Sequence, residues 1–112
     1  MADRLTMIYA AAERYSGVLQ LAVAMGDWSL ASPRDRWTCY LLLSYKYYSC
    51  DESMVPDRLF DMLCLQLLAD GLPEGAYHGQ LYDESALMAG TGYHIGDKLD
   101  ATLVSIANFL RV

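Results

Sequence analysis

The sequence is poor in the residues that make a catalytic or metal centre easy to see. It has three cysteines, Cys39, Cys50 and Cys64, and two histidines, His78 and His94. No two cysteines form a CxxC pair and the histidines lie far apart, so the common zinc frameworks are excluded and no metal is expected. An odd set of cysteines inside apolar, helix-like runs reads as buried free thiols in a reducing compartment. Basic residues are also scarce. Eight Lys and Arg face fourteen Asp and Glu, for a net charge of −6. Apart from Arg34 and Arg36 the basic residues are scattered. Phosphate contacts need local positive charge, so direct nucleic-acid binding is not expected. Long apolar runs are missing too. Residues 39–43 form one such run, far below the ~20 residues a membrane span requires. Met1 to Leu5 carries Asp3 and Arg4 and shows no signal-peptide pattern. These absences point to a cytoplasmic protein with no membrane association.

What the chain does contain is apolar material in helical register. Its 112 residues suit one domain, 1–112, and 54 % of them are apolar, enough for a core without disulfides. From Ala2 to Met25, Leu5, Ile8, Tyr9, Ala12, Tyr15, Leu19, Ala22 and Val23 repeat at helical spacing, with Glu13, Arg14, Ser16 and Gln20 on the other side. Gly26 and Asp27 end that helix. Ser32, Pro33 and Asp35 open a second one, by capping, by a proline in the first turn and by a favourable charge at the positive end of the dipole. It runs to about Cys50 and is apolar nearly all round, which places it centrally. Pro56 starts a third helix, whose buried face is Leu59, Phe60, Leu63, Cys64 and Leu67. Gly71, Leu72 and Pro73 end it. Residues 73–96 are glycine-rich and irregular, with one short helix around Asp83 to Ala89. A last helix spans about Asp97 to Leu110. The fold class is therefore all-α, a small bundle of about four helices built around a central antiparallel hairpin, because the Tyr48–Pro56 connection is short.

That hairpin carries the functional information. At its mouth Tyr45, Tyr47 and Tyr48 end one helix, while Asp57, Phe60 and Asp61 share a face at the start of the next by their i, i+3, i+4 spacing. Aromatic rings beside carboxylates suit a flat ring carrying a sugar: the rings stack, and the carboxylates accept hydrogen bonds from vicinal hydroxyls. The same pattern also fits tyrosines packed in a core beside a carboxylate that merely serves a helix N-terminus. Asp57 and Asp61 could instead act as a cation site or an acid–base pair, but the sequence supplies no third oxygen ligand or neighbouring histidine. A second candidate is Gly90-Thr91-Gly92-Tyr93-His94-Ile95-Gly96, in which Thr91, Gly92 and His94 could help cradle a phosphate ahead of the last helix. It lacks the lysine-serine ending of a P-loop, and a flexible connector is the plainer reading.

From Tyr45 to Leu63 the chain resembles, without a gap, the Y-x-Y-[YH]-x-x-D-x-P-x-I-[SP]-D-x-x-Y-D-x-L run of bacterial NAD-dependent DNA ligases. That run belongs to their small N-terminal helical domain, which binds the nicotinamide mononucleotide half of NAD. Asp83 to Gly90 is faintly similar to the D-S-P-T-x-x-V-G segment that follows. The resemblance implies that Tyr47 and Phe60 sandwich the nicotinamide ring, that Asp57 and Asp61 hold the ribose hydroxyls, and that Tyr48 lies near the phosphate. Phe60 stands where the pattern has tyrosine and Ser53 where it has proline, and Tyr48 stands where some members have histidine. The K-x-D-G motif is missing, and neither Lys46 nor Lys98 has its context, so self-adenylation is excluded.

Three function classes follow. The first is a non-catalytic binding module for a nicotinamide- or nucleotide-type molecule such as nicotinamide mononucleotide or NAD, with no resident cofactor. It could sequester an NAD-derived nucleotide, in the manner of the phage accessory proteins that small stand-alone relatives of this domain resemble. The second is a protein-interaction or assembly subunit, including a homo-oligomer, for which six methionines and nine tyrosines would provide contact surface. The third, an enzyme acting on a nicotinamide nucleotide, lacks a nucleophile or general base.

Overall fold

Every α-helix but the third starts where a side chain accepts from one of its first amides. In the computed structural model, which describes residues 3–112, Asp3 accepts a hydrogen bond from Thr6 N at 2.7 Å and opens α1, Arg4–Met25. Ser32 Oγ accepts from Asp35 N at 3.1 Å at the head of α2, Pro33–Cys50. α3 covers Asp57–Asp70 behind Pro56. α4 is the short helix Glu84–Met88, capped by Asp83. α5 is Ala101–Asn108, capped by Asp100, which accepts from Leu103 N at 2.9 Å. No strand forms among the described residues. The expected all-α bundle of about four substantial helices is the observed one.

α2 is the centre, as its nearly uniform apolar surface predicts. It packs against α1, α3 and α5, and Trp37, Cys39, Leu41 and Leu42 are fully buried. The α2–α3 hairpin is antiparallel. Arg36 in the first turn of α2 meets Asp70 at the end of α3, while Tyr47 and Tyr48 near the end of α2 share a cleft with Asp57 of the first turn of α3. Between these ends the rings of Tyr40 and Phe60 stack with centroids 5.8 Å apart. The hairpin turn is latched by Glu52 N donating to Lys46 O at 2.9 Å, with Asp51 in the left-handed region at φ 54°. Lys46 Nζ pairs with Glu52 across the same turn at 2.6 Å.

Several expectations need correction. Ser16, assigned to the outer side of the first helix, is buried and accepts a hydrogen bond from Arg111 N at 2.9 Å. Leu5, Tyr9 and Val23, assigned inward, are exposed. α1 packs chiefly on α2 and α5, and its buried stripe is the narrow Ile8, Ala12, Ser16, Leu19, Ala22 row. The last helix is shorter than Asp97 to Leu110, because Asp100 caps it and residues 97–99 stay outside. Ala2 lies outside the described residues. Cys39 and Cys64 are buried as expected, but Cys50, at the end of α2, is exposed.

Candidate cleft at the mouth of the helical hairpin

The open end of the hairpin encloses a cleft of about 260 Å³. Its lining contains five of the six residues placed there from the sequence, Tyr47, Tyr48, Asp57, Phe60 and Asp61 but not Tyr45, together with Leu43, Met54, Val55, Ser53 and Gly90. Helical period explains the convergence. Leu43 and Tyr47 are one turn apart on α2, and Asp57, Phe60 and Asp61 lie on one side of the first turns of α3. Val55 and Phe60 stand at the N′ and N4 positions of α3, the spacing of a hydrophobic staple, which sets how the chain enters the helix.

The aromatic walls are held by other rings. Phe60 is half-buried on Tyr40. Tyr47 is 47 % exposed and meets Tyr48 edge-on at 4.7 Å. Tyr48 in turn meets Tyr93 edge-on at 5.7 Å. Asp57 and Asp61 are exposed, and among the described residues neither makes a side-chain hydrogen bond or an ion pair. No group of three His, Cys, Asp or Glu is placed to hold a metal ion among the described residues. The Cys64 thiol, one turn beyond Asp61, is pushed up to about 12 by burial and then by the negative charge of Asp61. It is therefore a neutral packing group and not a nucleophile.

The loop after α4 folds onto this hairpin. Tyr40 Oη donates to Thr91 O at 2.8 Å, and burial raises the Tyr40 phenol well above its ordinary value, which keeps the proton on. The Tyr48 hydroxyl and Thr91 Oγ1 share a hydrogen bond of 2.8 Å. A methyl group on Gly92 would stand 1.9 Å from Ser44 Oγ, so only glycine permits this contact with α2. Gly90, at φ 71°, lies against Asp61, whose Oδ1 would be 2.9 Å from an added Cβ.

Several amides of the loop that holds Thr91, Gly92 and His94 already have partners within the protein. Gly90 N donates to Leu87 O at 3.1 Å, Thr91 N to Ala86 O at 3.0 Å and Ile95 N to Gly92 O at 2.9 Å. Tyr93 N donates to Thr91 Oγ1 at 3.1 Å. These amides are spent on the end of α4 and inside the loop itself. His94 turns away from the cleft and bonds Leu81 O through Nε2 at 2.7 Å. Nor does the loop lead directly into a helix N-terminus, since α5 begins at Ala101. The loop serves instead as a brace that forms one edge of the cleft through Gly90. Tyr40, Ser44, Leu43 and Met54 were not singled out from the sequence. Nothing distinguishes a core tyrosine or serine from one that anchors a distant loop until the loop is in place.

No family model, curated protein or solved structure matches this chain.

Proposed function

We propose that the hairpin-mouth cleft binds a flat-ringed, ribose-bearing small molecule of the nicotinamide-nucleotide class and holds it without chemistry. One observation carries this reading: two aromatic side chains and two unpaired carboxylates, chosen for that ligand chemistry, line the same cleft. The rings offer stacking and the carboxylates accept from a ribose diol. The resemblance to the nicotinamide-binding domain of the ligases supports the same assignment of roles. A volume of about 260 Å³ is at the lower edge of ordinary ligand pockets, roughly 300–1,000 Å³. It suits a nucleoside-sized fragment, so the remainder of a dinucleotide would lie outside. Binding without turnover corresponds to sequestration of an NAD-derived molecule.

The test is calorimetric titration with nicotinamide riboside, nicotinamide mononucleotide, NAD and ADP-ribose. Saturable heat with a nicotinamide-bearing compound, weakened by Asp61→Asn, is the expected result. Absence of heat with all four overturns the reading.

A second reading rests on a separate observation. α1 exposes Leu5, Tyr9 and Val23 on one side and Met7, Leu21 and Met25 on another, apolar side chains of the kind an assembly subunit uses for contact. A sedimentation coefficient that stays monomeric up to high protein concentration would remove its homo-oligomeric form.

A further inference from the structure

The cleft has an electrostatic bias that the ring-and-ribose reading does not use. Its lining contains two carboxylates, Asp57 and Asp61, and no Lys, Arg or His. Arg58, next to Asp57 in the chain, is exposed and does not line the cleft, and two other nearby basic side chains are committed elsewhere. Lys46 is buried and paired with Glu52 at 2.6 Å, and the His94 ring is fastened to Leu81 O at 2.7 Å. At the loop on its edge the amides of Gly90, Thr91, Tyr93 and Ile95 are already bonded. Of the two phenols in the lining, that of Tyr48 is bonded to Thr91 Oγ1 at 2.8 Å, which leaves the Tyr47 hydroxyl. A phosphate placed here would meet like charge and no cationic side chain in the lining. A cation would meet two unpaired carboxylates and aromatic rings, both of which attract it.

We infer that the cleft selects a flat organic cation that carries a diol and no phosphate: an N-ribosyl pyridinium nucleoside, the oxidised form, in preference to its 5′-phosphate and to the neutral reduced ring. The inference rests on the proposed ring-and-ribose reading and narrows it. The pyridinium charge lies between the Tyr47 and Phe60 rings, and the ribose hydroxyls donate to Asp57 and Asp61. Phosphorylation of the ribose adds negative charge beside those carboxylates. Reduction of the ring removes the positive charge that rings and carboxylates recognise.

The experiment compares three ligands on the intact protein: nicotinamide riboside, nicotinamide mononucleotide and dihydronicotinamide riboside, each titrated at low and at moderate salt. The expected order places the oxidised riboside about tenfold or more tighter than either of the others, with affinity falling as salt rises. Asp57→Asn and Asp61→Asn, which keep side-chain size, should each shrink the preference for the oxidised over the reduced ring. Equal or tighter binding of the mononucleotide overturns the inference and leaves the cleft reading intact. Equal binding of the reduced riboside overturns the charge argument alone. Failure of all three ligands to bind overturns both.

Discussion

The two ends of the α2–α3 hairpin handle polar groups in opposite ways. At the end away from the turn, closed by an ion pair, the buried side-chain donors have partners. Arg36 is buried, grips Asp70 through Nε at 2.8 Å and Nη2 at 3.1 Å, and donates through Nη1 to Trp28 O and Ala31 O. Trp37 Nε1 donates to Tyr77 O at 2.7 Å. At the open end Asp57 and Asp61 face a cleft with no partner, beside rings that are half-buried or exposed. A charge that is fully paired inside a protein serves the fold. Charges left unpaired at a concave surface contribute little to it, and they are what a ligand can use.

Breaking the closed end should cost most. Asp70→Ala leaves the buried guanidinium of Arg36 without its carboxylate, and loss of one member of a buried pair costs about 3–5 kcal/mol. Chemical denaturation should show that loss, together with an unchanged order of ligand affinities if any cleft remains. A cost below 1 kcal/mol would mean the two ends do not differ as described. The brace comes next. Gly92→Ala places a methyl group against Ser44, and overpacking of this kind costs about 1–3 kcal/mol. Because the loop forms one edge of the cleft, ligand affinity should fall together with stability. Ser44→Gly in the same chain should recover part of both, since it removes the Oγ and Cβ that the new methyl group meets.

The open end should separate binding from folding. Asp61→Asn and Asp57→Asn should change stability by less than about 0.5 kcal/mol, yet weaken a bound nucleoside about tenfold, the effect of a lost hydrogen bond to a charged group. Tyr47→Ala, at a side chain that is 47 % exposed, should melt within a few degrees of the parent and lose stacking. A large drop in melting temperature for these variants would make the mouth a structural element like the closed end. The mildest probe changes no residue. A small thiol reagent should modify Cys50 at once in the native protein and reach Cys39 and Cys64 only on unfolding, because both are buried with their thiols pushed up by desolvation. Rapid native labelling of all three would show that solvent enters the hairpin between its ends.

The all-α class, the starts of α2 and α3 and the hairpin joining them were legible in the amino-acid order. Period-3.6 spacing, Ser32-Pro33 and Pro56-Asp57 are local signals, written within a turn or two of where they act. The convergence of Tyr47, Tyr48, Asp57, Phe60 and Asp61 was legible for the same reason, since a short connection brings neighbours in sequence together in space. Tertiary structure alone decided the rest. The buried side of α1 depends on what packs against it, so Ser16 went in and Leu5 and Tyr9 stayed out. Whether residues 90–96 cradle an anion or brace a hairpin depends on where their amides and hydroxyls find partners. Those partners include Tyr40 and Tyr48 on α2, far away in the chain, and Ala86, Leu87 and the loop itself nearby, while Gly92 packs on Ser44. Glycine spacing permits both outcomes, because it fixes what the backbone can do and not what it will meet.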